Sequence, residues 1–198
     1  MIDNNFKTSN YSNSQYKGKN LIIIQVESLQ QFVINRKYNG KEITPNLNKL
    51  ISQSLYFDNC YYQISLGHTS DAELLTNTSL YPLENSSVYM TKYNNEFEAL
   101  PKVMDSMEYN TFAVHGNKAS FWNRNSVYNK YGFNKFYSVE KLKNDDMIDM
   151  GLSDKSLFNQ NVDIIKKNKK PFYDFTITLT SHSPFKVNND FCNPDILH

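Results

Sequence analysis

Leu21-Ile22-Ile23-Ile24-Gln25-Val26 constrains the fold of this chain more than any other stretch. It is a continuous apolar run rich in β-branched side chains, and it predicts a strand buried on both faces of a parallel sheet. Parallel strands need long crossovers, usually helical, and helical signals follow. Thr44-Pro45 reads as an N-cap with proline at the first helical position, predicting a helix from Pro45 to about Ser54. Leu55 to Tyr61 alternates weakly and predicts a second strand. Ser70-x-x-Glu73 has the capping-box pattern and places a helix start near Thr69. Further helices are expected over Glu96 to Met107, with Pro101 near its start, and from a Ser153 cap to about Lys167. Thr111 to Val114 and Phe172 to Leu179 read as strands. Strands alternating with helices make an α/β domain. Residues 1–19 are polar and aperiodic and read as a disordered arm or linker, leaving 20–198 as the domain.

Composition excludes some functions. With 21 basic and 20 acidic residues there is no electrostatic footprint for nucleic acid. The basic run Lys166 to Lys170 reads as a solvated helix end. Cys60 and Cys192, the two cysteines, lack metal-type spacing and read as unrelated thiols, with a disulfide between them as the alternative. No run approaches the roughly 18 apolar residues of a membrane span, and the N-terminus has no apolar signal core.

The candidate chemistry gathers at strand ends. Glu27, His115 and His182 each follow the last residues of an expected strand, and ligands of open parallel sheets bind outside the strands' carboxyl ends. In Gly67-His68-Thr69-Ser70-Asp71, the Thr69 hydroxyl falls at a helix start. Unpaired N–H groups and the helix dipole favour an anionic ester there. A threonine hydroxyl needs a metal or a base to become a nucleophile, and Glu27 offers a hard oxygen ligand for such a metal. Together these suggest phosphoryl or sulfuryl transfer. The alternative reading is an ordinary N-cap and a solvated strand-end acid.

Trp122, the single tryptophan, lies two residues before Arg124, a pairing suited to stacking and bidentate phosphate contact. The alternative is a core tryptophan and a surface arginine. His182 reads either as a site residue or as a structural histidine bonded to a nearby carbonyl. No G-x-S-x-G elbow, G-x-G-x-x-G fingerprint or Walker loop occurs.

These motifs resemble, in order, the extracellular domain of the lipoteichoic acid synthase family, within the sulfatase and alkaline-phosphatase-like superfamily. The resemblance is carried by Val26-Glu27-Ser28-Leu29-Gln30, Asn39 to Pro45, Thr69-Ser70-Asp71 with Glu73, and Ser79-Leu80-Tyr81-Pro82. It continues through His115-Gly116-Asn117, Phe121-Trp122-Asn123-Arg124 and Leu179 to Phe185, so it spans about residues 20–187. It implies a mostly parallel sheet flanked by helices and a phosphoglycerol transferase activity. The residue matching Thr69 would attack the phosphate of phosphatidylglycerol, release diacylglycerol and form a glycerophospho-threonine. The terminal glycerol hydroxyl of a growing glycerol-phosphate polymer would then take the group.

By the same resemblance, Glu27 and Thr69 bind a manganese ion, with magnesium or another divalent cation as the alternative, and His115, Trp122, Arg124 and His182 line the glycerol-phosphate pocket. His68 stands where many members carry lysine. Members work at the cell membrane with an extracellular catalytic domain, and they place an Asp-His pair of metal ligands well downstream of the segment matching His182. The resemblance therefore implies the first half of a catalytic domain, truncated at its C-terminus and inactive without the other half. Phe172 to Leu179 is then expected to form an unpaired apolar edge. A sulfatase or phosphodiesterase hydrolase and a non-enzymatic binding module are the alternatives.

Overall fold

The computed structural model describes residues 16–184. In chain order the strands are β1 (Leu21–Gln25), β2 (Lys37–Tyr38), β3 (Lys41–Glu42), β4 (Asn110–His115), β5 (Lys135–Tyr137), β6 (Met147–Ile148), β7 (Gly151–Leu152) and β8 (Phe172–Ile177). The helices are α1 (Pro45–Ile51), α2 (Thr69–Thr78), α3 (Val88–Thr91), α4 (Leu100–Ser106), α5 (Arg124–Tyr131) and α6 (Asp154–Lys166). Short 3-10 turns lie at Gln31–Val33 and Phe121–Asn123. Four strands form a sheet in the order β1-β8-β4-β5, and all its pairings are parallel. Leu21 lies opposite Tyr173 and Gln25 opposite Ile177, while His115 also lies opposite Ile177. The carboxyl ends of β1, β8 and β4 are therefore level.

Side-chain alternation along these strands splits the core into two layers. One face carries Tyr173, Phe175, Ile177 and Ala113, packed with Leu74 of α2, Tyr89 of α3, Met104 of α4 and Tyr128 and Tyr131 of α5. Aromatic rings do much of this filling: Phe133 stacks on Tyr173 at 5.7 Å, and Tyr128 meets Phe136 edge-on at 4.8 Å. The other face carries Phe112 and Val114 under Leu157 of α6. There Asn161 of α6 donates to Asp174 at 2.7 Å and to Thr176 at 2.9 Å. The helix thus satisfies the polar positions that β8 turns toward it.

Several expectations are corrected. Among the described residues β1 is an edge strand with one covered face: Ile22 and Ile24 are each 48% exposed. They sit beside Asp174 and Thr176, just past the reach of α6. Phe172–Ile177 is the converse, a central strand buried along its whole length between β1 and β4. It is not an unpaired edge. Leu55 to Tyr61 forms no strand, because no neighbour among the described residues pairs with it, and Leu55 and Phe57 stand exposed.

The elements with strong local signals fall close to expectation. α6 starts where Ser153 accepts from the Ser156 N–H. α4 begins at Leu100 rather than Glu96, with Pro101 in its first turn. α1 ends at Ile51, and Thr44 caps none of its amides, donating instead to Val33 O and Asn48 Oδ1. Tyr16 to Lys19 form a turn tied by Gly18 N–H to the Tyr109 hydroxyl. The rest of the expected arm, residues 1–15, and Cys192 lie outside the described residues. Cys60 is exposed as a free thiol.

Candidate active site

Glu27 and Thr69, 42 positions apart in sequence, meet: the Thr69 hydroxyl donates to Glu27 Oε2 at 3.0 Å. Two elements aim them at each other. β1 delivers Glu27 past its carboxyl end, where the Glu27 N–H donates to Thr178 Oγ1 at 2.8 Å and its carbonyl accepts from Ser181 Oγ at 2.5 Å. α2 begins at Thr69, and Gln25 holds that start by donating to Thr69 O at 3.2 Å. Ser28 Oγ donates to the other carboxylate oxygen of Glu27. Both side chains are half-buried, so the contact lies at the surface of the carboxyl edge.

The turn before Thr69 is tightly built. Asp71, in the first turn of α2, folds back so that Oδ2 accepts from the N–H groups of Ser65 and Gly67, both at 2.9 Å. A Cβ on Gly67 would lie 2.1 Å from Asp71 Oδ1, so this approach requires glycine. His68 is exposed and takes φ 45°, ψ −112°, a sparsely populated conformation of the kind that collects at functional turns. Two expectations fail here. Ser70 and Glu73 form no capping box: Ser70 Oγ donates to Gly67 O and meets Ser87, and Glu73 turns to another partner. The first-turn amides of Ser70, Asp71 and Ala72 donate to the carbonyls of Gly67 and His68. They are not free for an anion, which leaves the dipole's positive end and the hydroxyl.

His115 ends β4, 3% exposed, with Nδ1 at 3.1 Å from the Ile177 carbonyl. A carbonyl only accepts, so Nδ1 carries the proton and Nε2 is left with its lone pair. Burial, then the nearby Arg124 charge, hold the His115 pKa down to about 3, so the ring is neutral across the physiological range. His182 is close enough to add a small like-charge effect on His115, and its own Nδ1 bonds the Ser183 carbonyl. That bond is the local contact of the structural reading. Asp154 fixes the preceding loop by accepting from the Leu179 and Thr180 amides.

Trp122 and Arg124 sit on one strained turn. Trp122 has φ 57° and Asn123 φ 52°, which throws the half-buried indole against the core layer of α2 and α5. Arg124 is not on the surface, being 1% exposed. Its Nε and Nη2 donate to Glu73 at 2.6–3.2 Å. The Nε–Nη2 edge, one of the two bidentate edges of the guanidinium, is thus taken by a carboxylate. Burial opposes the Arg124 charge and is outweighed by Glu73 and the neighbouring phenols of Tyr128 and Tyr89, so its pKa lies above the ordinary value.

Glu27 and Thr69 supply oxygen donors of the kind that suit a hard divalent cation. Among the described residues no group of three or more His, Cys, Asp or Glu side chains is gathered as a metal cage. The sequence reading missed Glu73, Asp71, Thr178 and Tyr128 as supporting residues. The one available signal was the i, i+4 spacing of Arg124 and Tyr128, which puts both on one face of a helix.

A parallel sheet between helices, with the Glu27–Thr69 contact and the strand-end His115 at its carboxyl edge, is the alkaline-phosphatase-like fold. It superposes with a TM-score of 0.75 on a protein in the alkaline phosphatase superfamily from Vibrio parahaemolyticus, 23% identical, over 87% of this chain and 43% of that one. Residues 19–195 match the Sulfatase family, and the chain belongs to that family. It is 41% identical to lipoteichoic acid synthase 1 of Bacillus subtilis over 93% of its own length and 31% of the relative's. The solved lipoteichoic acid synthase LtaP from Listeria monocytogenes is 35% identical, with a TM-score of 0.86 over 89% of this chain and 44% of that one. The chain thus spans about a third of the curated relative's length. Among the described residues no helix is long and apolar enough to cross a membrane.

Proposed function

We propose that this chain carries the nucleophile and headgroup-binding residues of a phosphoglycerol transferase of lipoteichoic acid synthesis, working at the outer face of the cell membrane. The observation that carries the proposal is the Thr69–Glu27 contact at the carboxyl edge. Similarity to lipoteichoic acid synthases supports the substrate class: a phosphatidylglycerol donor and a glycerol-phosphate polymer as acceptor.

In this mechanism Thr69 Oγ1 attacks the donor phosphorus and forms a P–O bond. The bond from phosphorus to the diacylglycerol oxygen breaks, and that oxygen leaves as a hydroxyl with the proton that Thr69 gives up by way of Glu27. In the second step the acceptor hydroxyl's proton returns to Thr69 Oγ1 by the same path. The Thr69 proton points at Glu27 Oε2, so the hydroxyl's lone pairs are free for attack. His115, neutral with Nε2 free, suits acceptance of a hydrogen bond from a glycerol hydroxyl. Trp122 offers an apolar wall, Arg124 a fixed positive charge and His182 a second imidazole near His115. The polymer's terminal hydroxyl then attacks the same phosphorus and releases Thr69. A divalent cation, manganese by family resemblance, held by Glu27 and Thr69 would supply charge neutralisation and a lowered hydroxyl pKa. His68, exposed beside the nucleophile, is placed to modulate charge there.

Incubation of a form carrying the whole catalytic domain with phosphatidylglycerol vesicles and manganese, followed by peptide mass spectrometry, tests this. A glycerophosphoryl adduct on Thr69 is expected, and Thr69→Ala should lower diacylglycerol release on the order of a thousandfold or more. Release by Thr69→Ala at the parent rate would overturn the reading. Adduct formation ending in free glycerol phosphate, with no polymer extension, would make the protein a hydrolase.

A further inference from the structure

Among the buried polar atoms of the described residues that lack a hydrogen-bond partner, one is a cationic donor. Arg124 spends Nε and Nη2 on Glu73, yet its Nη1 is buried with no hydrogen-bond partner. A buried charged donor left unmade is expensive, and such groups in native folds call for a ligand or a function. The carboxylate opposite has no such deficit. Glu73 Oε1 accepts from Arg124 Nε at 3.0 Å and Nη2 at 2.6 Å, and Oε2 accepts from Arg124 Nε at 3.2 Å and the Tyr128 hydroxyl at 2.5 Å. Burial, and next the Glu73 charge, raise the Tyr128 phenol well above its usual range, so it stays a donor.

The geometry is a clamp. Arg124 and Tyr128 stand one turn apart on α5 and close on one carboxylate of α2. Glu73 itself lies one turn along α2 from Thr69, so the guanidinium is referenced to the helix that carries the nucleophile. An arginine docked through Nε and Nη2 cannot rotate about its last bonds without breaking two or three hydrogen bonds. What remains for another partner is the far edge, with both N–H groups of Nη1 and the second N–H of Nη2.

We infer that Glu73 and Tyr128 are positioning residues that lock Arg124 so that its Nη1 edge is presented to the phosphate of the transferred group. This rests on the proposed function for the phosphate itself. The anion contact is then made from the Nη1 edge, and its direction is set from α2. Electrostatics would argue otherwise, since a carboxylate beside the arginine weakens its attraction for any anion. The sign of the Glu73 effect therefore separates positioning from simple charge balance.

The test uses glycerol 1-phosphate as probe, read by calorimetry, together with the guanidinium NMR signals of Arg124. In the parent, separate and slowly exchanging Nη signals are expected, and Tyr128→Phe should average them. Glu73→Gln should bind the probe about tenfold more weakly and Tyr128→Phe about threefold more weakly, although the first removes a negative charge. Tyr128→Phe keeps every buried charge and decides the question if Glu73→Gln fails to fold. Averaged Nη signals in the parent, or parent-like or tighter affinity in these variants, would overturn the clamp. Arg124→Lys keeps the charge opposite Glu73 and should lose at least about tenfold in affinity. If Arg124→Lys binds the probe like the parent while the parent's Nη signals are rigid, the phosphate reading fails and the presentation of Nη1 falls with it.

Discussion

Glu27 and Glu73 are both glutamates facing a hydroxyl, and they lead opposite lives. Glu27 is half-buried and accepts from Thr69 and Ser28. Beyond it the chain runs through exposed apolar side chains such as Leu29 and Phe32. Glu73 is fully buried, and both of its oxygens are filled by Arg124 and Tyr128. The first carboxylate retains accessible lone pairs for an incoming cation. The second is committed to holding another residue still. The difference shows why residue type alone does not define a site: burial and saturation decide whether an acid is chemistry or scaffold.

Stability should separate the two most strongly. Glu73→Ala leaves Arg124 buried and unpaired, and breaking such a pair costs about 3–5 kcal/mol. Glu27→Ala should cost under about 1 kcal/mol. Urea unfolding of both variants checks this, and equal losses would erase the contrast.

Acid should act on the Glu73 side. His115 has its pKa held down to about 3 by burial and Arg124, against about 6.5 in an unfolded chain. Between those values the unfolded state binds the extra proton, so stability falls as pH drops from about 6.5 toward 3. The slope is about 1.4 kcal/mol per pH unit. Asp154 and Asp174, whose pKa values are raised by burial, act in the opposite sense at the acid end, binding protons more readily when folded. His115→Asn should therefore remove one proton's worth of slope relative to the parent, and parallel curves would contradict it.

Gly67→Ala probes the turn joining the nucleophile to the core. Its Cβ would press on Asp71, which is pinned by two amides, and a loss of roughly 1–3 kcal/mol is expected in the melting transition. The smallest effect should be that of Glu27→Gln, within about 0.5 kcal/mol of the parent by urea unfolding. A larger loss would mean that Glu27, too, is scaffold.

Much of the site was legible because its cues are local. Apolar runs ended at Glu27, His115 and the loop bearing His182, and a glycine-led turn put Thr69 at a helix start. Convergence then followed from parallel topology. Glu73 was misread because Ser70-x-x-Glu73 fits a capping box, while its actual partners lie 51 and 55 residues away. The spent first-turn amides depend on the positive φ of His68, which no periodicity announces. An apolar run reports that Leu21–Gln25 is a strand but not how many layers cover it. Leu55 to Tyr61 has strand-like composition, and strand formation needs a hydrogen-bonding neighbour as well as composition.

The central claim is that Glu27 and Thr69 form a cation-assisted nucleophile site distinct from the Glu73 clamp. A free-manganese titration followed by electron paramagnetic resonance tests it most directly. The two oxygens contribute only part of a ligand set, so weak binding by the parent is expected, lost in Glu27→Gln and retained in Tyr128→Phe. Manganese bound equally well by Glu27→Gln, or lost in Tyr128→Phe, would contradict the account.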